Sequence, residues 1–376
     1  MAREVKRPIY PRDLDELDRR IIRLLRDDGR RPNAEIARAI GISEPTVRKR
    51  LDRLRTGGVL KIIGILDPPA TGFPVYAMIG VRALPGVARE IGHRLAAMDC
   101  VANVTYITGR WDIWMEAMLE SNMRLHEFLG EDLVAIPGIL TTETFLVLAI
   151  EKFDYTWDLP DPEGRPTAVH ATSETAFEPP IARPAGTGGG VSPRSHRMEA
   201  GRGMDTLDRQ ILRLLQDDGR RPNAEIARAL GASEPTIRKR LDRLMESGVL
   251  RIIGLLNPAA TGFLVDVFVG VRVKHGHVRR VGQQIAAMGC VTFVGYTTGP
   301  YDLLIEAVFL DNAALFTFLS ESVGGAEGVI SSETMHILAV DKFKYMWDLP
   351  EDDRGFVGEP GAVSPRSPDG EGYQSL

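Results

Sequence analysis

"SEPTVRKRLDRL" runs from Ser43 to Leu54, and "SEPTIRKRLDRL" runs from Ser233 to Leu244. Eleven of the twelve residues agree, and the one change is Val47 to Ile237. Ser43 is placed to cap a helix, and Pro45 falls in its first turn, where no backbone donor is needed. Val47, Leu51 and Leu54 form an apolar stripe. A step of about 100° per residue gathers Thr46, Lys49, Arg50 and Arg53 on the adjoining side. Arg48 falls on the other side, towards backbone or solvent. Such a helix can pack through one side and meet phosphates and base edges with the other. The second copy repeats the arrangement with Ser233, Thr236, Arg238, Lys239, Arg240 and Arg243.

The residues upstream extend the pattern. Leu17, Ile21, Leu24 and Leu25 recur on one helical face, with Asp15 as a cap and Gly29 ending the run. "NAEIARAI" predicts a short second helix, with Asn33 as its cap and Ile36, Ala37 and Ile40 inward. Gly41 permits a tight turn before Ser43. Helix, short helix, glycine turn and basic helix make a helix-turn-helix, whose last helix enters the major groove of DNA. "VLKIIGIL" at Val59 then predicts a strand, either a wing or a bridge to the next domain.

The repetition reaches well beyond twelve residues. At a constant offset of 190, "DDGRRPNAEIARAI" at Asp27 returns as "DDGRRPNAEIARAL" at Asp217, and "WDLP" at Trp157 returns at Trp347. No insertion or deletion breaks the register from Leu17 to Pro160. The period is far too long for a solenoid, so the chain is a duplicated multi-domain unit. After each "WDLP" the composition turns to Pro, Gly, Ser and acid. Residues 161–203 read as a disordered linker and 351–376 as a disordered acidic tail. The linker's 43 residues have a reach of about 35 Å, enough to cross a domain.

Composition sets the class. In 376 residues, 44% hydrophobic and 26% charged content are ordinary for a soluble globular protein. No apolar run approaches the roughly 18 residues a membrane span needs. "MAREVKRPIYPRD" lacks the apolar core of an export signal, so the cytoplasm is expected, without membrane association. Cys100 and Cys290 form no CxxC pattern, which disfavours disulfide or thiolate-zinc scaffolds. Net charge is -5, but Asn33–Lys61 holds seven Lys/Arg against three acids. Basic charge sits where the recognition helix is expected.

The second half of each unit changes pattern. "VYAMIGVRAL" predicts a strand and "VAREIGHRLAAM" a helix. "CVANVTYITG" and "WDIWMEAML" predict two strands joined through Gly109. "NMRLHEFLGEDLV" predicts a helix and "ILTTETFLVLAI" a last strand. The order βαββαβ implies a ferredoxin-like sheet with both helices on one face. The fold class is therefore α+β, two copies of a winged helix-turn-helix plus a ferredoxin-like domain. The expected boundaries are 14–66, 73–160, 204–256 and 263–350. Trp157 and Trp347 are expected to pack the last turn of each copy against its sheet.

The stretch Leu17–Pro68, read as "LD…IL..L..DGR…AEIA…G.S…R…L…GV", resembles the N-terminal domain of the Lrp/AsnC (feast/famine) transcription regulators. The second half is similar to the effector-binding and oligomerising domain of that family. Its signature is a Gly-x-x-Asp turn, here Gly109 and Asp112 in "TGRWD", then Gly299 and Asp302 in "TGPYD". The resemblance implies that this turn helps bind an amino acid or similar metabolite at contacts between dimers. Glycine would let backbone amides approach a carboxylate, and aspartate would take an ammonium group or brace the turn. Arg110 and Trp111 face Pro300 and Tyr301 across the repeat, so the two turns need not share a ligand.

The same resemblance implies duplex DNA as partner, a small-molecule effector, self-association, and no cofactor or metal. Ordinary members dimerise through their C-terminal domains, and here that dimer is expected within one chain, reading an inverted repeat. Arg50 and Arg53 are expected to hold phosphate or guanine, so that Arg50→Ala with Arg240→Ala weakens DNA binding without unfolding the chain. Catalysis is disfavoured because the histidines do not recur: His93 faces Gln283, His126 faces Phe316, His275 faces Pro85 and His336 faces Leu146. Sirohaem decarboxylases, which resemble this family and can be fused in tandem, are the enzymatic alternative. Their Trp-Pro-Tyr-Asn-like segment is absent, and they need no basic recognition face. A ligand-sensing scaffold without DNA binding is the third reading.

Overall fold

The computed structural model describes residues 14–153 and 204–343. The expected linker 161–203, the tail 351–376, Trp157 and Trp347 lie outside the described residues.

Three helices open the first copy: α1 (Glu16–Asp27), α2 (Asn33–Ile40) and α3 (Glu44–Thr56). Asp15 and Asp18 form a reciprocal capping box at the start of α1. The Gly41 backbone turns left-handed (φ 75°) to close α2. Ser43 Oγ accepts from Thr46 N to start α3 (3.3 Å). Asn33 is not the cap of α2, however. Pro32 holds that position without a side-chain bond, and the Asn33 amide is engaged by Arg220 of the other copy. Ile36, Val47, Leu51 and Leu54 are buried between the helices. Each such side chain contributes about 1.5–3 kcal/mol of transfer free energy. The second copy repeats the set as α6 (Thr206–Asp217), α7 (Asn223–Leu230) and α8 (Glu234–Glu246).

Strand β1 (Leu60–Leu66) is a bridge. It pairs antiparallel with β6 (Leu250–Leu256) of the other copy, with Ile63 opposite Ile253 and Leu60 opposite Leu256. Ile63 and Ile253 are repeat-equivalents, so a pseudo-two-fold axis passes between them. Gly29 N donates to Ile252 O and Gly219 N to Ile62 O, each at 2.9 Å. Each three-helix head therefore rests on the strand of the opposite copy.

Each sensor half has the expected βαββαβ order. In the first copy it comprises β2 (Val75–Ala83), α4 (Ala88–Ala96), β3 (Val101–Ile107), β4 (Ile113–Leu119), α5 (Asn122–Glu127) and β5 (Ile139–Phe153). In the second, β7 (Val265–Val273), α10 (Val278–Ala286), β8 (Val291–Thr297), β9 (Leu303–Phe309), α11 (Asn312–Thr317) and β10 (Val329–Phe343) come after the short helix α9 (Pro258–Thr261). The last strands are longer than the sequence pattern suggests. β5 pairs with β2 through Leu146, then crosses to pair with β8 from Val147 to Phe153. β10 pairs with β7 through His336, then with β3 from Ile337 to Phe343. The two sheets thereby close into one eight-stranded barrel, ordered β10-β3-β4-β2-β5-β8-β9-β7. Alternate residues such as Val267, Val269 and Val271 pack outward under the helices. The other set, including Trp114, Phe145, Phe268 and Phe293, fills the interior.

Candidate nucleic-acid interface

The outer surface of α3 divides along its length. Ser43, Thr46, Arg48 and Lys49 at its N-terminal end are exposed, as are Ser233, Thr236, Arg238 and Lys239 on α8. Arg48 lies 3.3 Å from Glu44 and its side chain stays 66% exposed, so that pair is loose enough to be exchanged for phosphate.

Arg50 and Arg53, expected to hold phosphate or guanine, face carboxylates at the start of α1 in the structure. Arg50 Nη1 donates to Asp15 Oδ2 (2.6 Å) and to Asp18 Oδ1 (2.9 Å). Arg53 Nη2 donates to the other oxygen of Asp18. Asp18 is fully buried, and a buried carboxylate requires such donors. The second copy repeats this with Arg240 on Asp205 and Asp208 (2.6 and 3.0 Å) and Arg243 on Asp208. Burial works to raise the Asp15 and Asp205 pKa values. Hydrogen bonds from the paired arginine and from the helix backbone outweigh it and hold both below the usual range. These four arginines fasten α1 to α3 and α6 to α8. Arg50→Ala therefore removes a contact between the start of α1 and α3 as well as a cation.

Two residues that sequence reasoning passed over set the geometry between the heads. Arg30 Nε donates to Gly219 O (2.8 Å), Nη1 to Asn223 Oδ1 (3.0 Å) and Nη2 to Arg221 O (2.6 Å). Arg220 returns the same set, to Gly29 O (2.7 Å), Asn33 Oδ1 (2.8 Å) and Arg31 O. Burial lowers both guanidinium pKa values, but every nitrogen of each fork donates a hydrogen bond. This reciprocal clasp is why Asn33 is not a helix cap. The only sequence signal for it is the repeated "DDGRRPN".

In the sensor half, the Gly-x-x-Asp turns join the two copies. Gly109 and Gly299 both adopt φ 99°. Asp112 Oδ2 accepts from Ala83 N (2.8 Å), and Asp302 Oδ2 from Val273 N (2.7 Å). Of the two roles expected for this aspartate, the structure displays the brace. Thr108 N donates to His336 O and Thr298 N to Leu146 O, which ties each turn to the opposite last strand. Trp111 and Tyr301 point inward and are 4% and 5% exposed. A Cβ at Gly80 or Gly270 would come within 2.5 Å of Trp111 or Tyr301, so only glycine fits beneath either ring. Phe145 lies between them, stacked on Tyr301 at 5.8 Å and edge-on to Trp111 at 5.5 Å. Arg110 reaches Glu143 (3.5 Å), whereas the Tyr301 hydroxyl takes the repeat-equivalent Glu333. Cys100 and Cys290 are free, and burial pushes both thiols up to about 11. Among the described residues no cluster of three potential metal ligands occurs, and no helix is long and apolar enough to cross a membrane.

The model of the AsnC-type helix-turn-helix domain matches residues 14–55 and 204–245. That of the Lrp/AsnC ligand binding domain matches 76–157 and 266–345. An HTH-type transcriptional regulator of Pyrococcus furiosus, itself uncharacterised, is 38% identical over 143 residues, 38% of this chain and 97% of that protein. The HTH-type transcriptional regulator FL11 of Pyrococcus horikoshii is 36% identical over 37% of this chain and 92% of its own length. Regulatory protein AsnC of Haemophilus influenzae is 31% identical over 36% and 91%. Each relative spans about one unit, as a duplication requires. The siroheme decarboxylase NirDL shares the fold over 89% of this chain and 95% of its own, with a TM-score of 0.59 at 15% identity. With both domain types matched twice and single-unit relatives covered almost end to end, this chain belongs to the Lrp/AsnC family of transcriptional regulators, in tandem form.

Proposed function

We propose that the chain binds DNA as a one-chain dimer, reads an inverted repeat with α3 and α8, and responds to an amino acid or similar metabolite at its Gly-x-x-Asp turns. One observation carries this reading. Two matched, exposed helix ends, Ser43/Thr46/Arg48/Lys49 and Ser233/Thr236/Arg238/Lys239, are held about a pseudo-two-fold axis by the β1–β6 bridge and the arginine clasp. Two-fold related probes fit two-fold related half-sites. In this reading Thr46 and Lys49 approach bases, and Arg48 takes a phosphate. Arg50, Arg53, Arg240 and Arg243, beside Lys49 and Lys239 on the same side of each helix, hold α3 to α1 and α8 to α6. The chain has no catalytic residue, cofactor or metal in this role, and it acts in the cytoplasm. Further association of one-chain dimers would bring effector turns together.

The test is selection of bound fragments from the source genome, followed by salt titration on the preferred site. An inverted repeat and a steep loss of affinity with salt are expected. Lys49→Glu with Lys239→Glu should weaken binding at least about a hundredfold, and Arg48→Ala with Arg238→Ala should flatten the salt slope by about two. A preferred site with one half or two unrelated halves would refute the arrangement. The fold shared with NirDL supports a second reading as a tetrapyrrole enzyme. Bound tetrapyrrole without DNA affinity would favour it.

A further inference from the structure

A second arginine accompanies each arm of the clasp, and the clasp does not use its side chain. In "DDGRRPN" the first arginine, Arg30 or Arg220, makes the fork described above. The second, Arg31 or Arg221, contributes its backbone: Arg221 O accepts from Arg30 Nη2 (2.6 Å), and Arg31 O accepts from Arg220 Nη2. Neither the Arg31 nor the Arg221 guanidinium makes a hydrogen bond or ion pair among the described residues. Both residues are half-buried. Packing accounts for the first arginine of each pair and leaves the second without a structural task.

These two side chains share one space. A cleft of about 420 Å³ is lined by Arg30, Arg31 and Glu44 and by their repeat-equivalents Arg220, Arg221 and Glu234. Every residue of its wall is matched by its counterpart from the other copy, so the pseudo-two-fold axis runs through the cleft. Glu44 and Glu234 are the first residues of α3 and α8. The cleft therefore lies between the two helix ends proposed to meet DNA. Its charge is one-sided. Four guanidinium groups outnumber two carboxylates, and both carboxylates have other cations: Glu44 lies 3.3 Å from Arg48 and Glu234 lies 3.6 Å from Arg238. Burial lowers the Arg220 pKa, and the neighbouring charges of Arg55 and Arg30 lower it further, against Asp28 and Asp218. Like charges gathered this way, with two of them unanswered, favour an anion.

From this we infer that Arg31 and Arg221 form a third DNA contact, which grips the backbone at the centre of the operator through one phosphate of each strand. The inference rests on the one-chain dimer reading above. Between two half-sites one helical turn apart, a duplex turns its minor groove towards the protein. That groove is about 6 Å wide and is bordered by one strand on either side of the dyad. A pair of arginines about the axis matches this pair of phosphates. Each guanidinium can donate two parallel hydrogen bonds to phosphate oxygens. The clasp already fixes the backbone of both residues, so less order has to be created on binding. Phosphate contacts position the protein and carry no base preference of their own. Arg31 and Arg221 thus set register and spacing, while Thr46 and Lys49 stay with the bases.

Methylphosphonate substitution tests the assignment, because it removes the charge of a chosen phosphate and leaves the bases intact. The duplex is the preferred site from genomic selection, neutralised either at the phosphates bordering the central minor groove or at an equal number beyond the half-sites. The wild-type chain should lose about tenfold in affinity on the central modification and little on the outer one. Arg31→Ala with Arg221→Ala should bind the unmodified site about tenfold more weakly, with a salt slope lower by about two and an unchanged base preference. The same variant should lose nothing more on the centrally neutralised duplex. Arg31→Lys with Arg221→Lys keeps both charges and should recover most of the salt slope. Undiminished wild-type affinity for the centrally neutralised duplex would overturn the proposal, and binding of inorganic phosphate to the wild type but not to the double alanine variant would then assign the cleft to a free anion. A full further loss by the double alanine variant on that duplex would overturn it equally. The wild-type comparison of central with outer modification stands even if the alanine variant fails to fold. A wild-type chain that binds no duplex, or prefers a site without two-fold symmetry, would refute the dimer reading itself and this proposal with it.

Discussion

The heads and the barrel interior have obeyed different rules since the duplication. In the heads the main polar interactions appear twice. The capping boxes, the Arg50/Arg240 and Arg53/Arg243 pairs and the Arg30/Arg220 clasp are mirrored residue for residue. In the interior the mirror is broken. Trp111 faces Tyr301, Tyr76 faces Asp266, and Asn103 faces Phe293. A surface that must fit a two-fold target keeps both copies alike. A core has only to stay filled, and it tolerates exchange provided packing and polar partners are made good. Where they are not, as at Asp266, whose buried Oδ1 has no hydrogen-bond partner, the exchange costs stability.

The largest effect that would sharpen this contrast concerns Arg50. Arg50→Ala removes a donor from the buried Asp18, and Arg240→Ala does so for Asp208. Each should destabilise the chain by about 2 kcal/mol, and by the same amount in either copy. Thermal or denaturant unfolding reads this. A marked inequality between the copies would break the symmetry claimed for the heads.

Next in size is the clasp. Arg30→Ala or Arg220→Ala should leave each head folded but free to shift against its partner. Affinity for a correctly spaced inverted repeat should fall by about tenfold. The penalty for moving the half-sites apart by half a helical turn should shrink as well. Electrophoretic shifts on spacer variants read both. An unchanged spacer preference would show that the strand bridge alone sets the distance.

The smallest effect tests the broken side. Asp266 has its carboxyl pKa raised to about 7 from 3.8. The native chain therefore holds a proton that the unfolded chain has released. Stability attributable to this group falls as pH rises from about 4 through 7. Asp266→Asn should consequently raise the melting temperature at pH 8, with the advantage fading towards pH 4. Tyr76→Phe in the first copy should do the opposite: it removes a donor that lowers the Glu116 pKa, which burial raises, so its cost in stability should grow as pH rises.

Legibility in the sequence depends on range. Asp15, Gly41, Ser43 and the Val47/Leu51/Leu54 stripe act within a few residues, and periodicity with capping chemistry exposes them. The βαββαβ order was also readable. The partner of β1 was not, because a β-branched run reads alike as a wing or a bridge until a strand 190 residues away is placed beside it. The helical wheel correctly set Arg50 and Arg53 beside Lys49. It could not show that the start of α1 lies against that part of the surface. Arg30 gave even less warning, since its acceptors are mostly backbone carbonyls of the other copy. The length of β5 was hidden because its end leaves one sheet for another, and alternation carries no mark of that handover.

That handover decides what the joining peptide is for. β5 and β10 each complete the opposite copy's sheet, and β1 lies along β6, so cohesion is supplied by three seams of backbone hydrogen bonds. Two separate polypeptides with these strands would already embrace. Covalent linkage adds choice of companion: a half bearing Asp266 always meets a half bearing Tyr76. Lopsidedness that random pairing of identical subunits would scramble becomes a fixed, inheritable trait of the molecule.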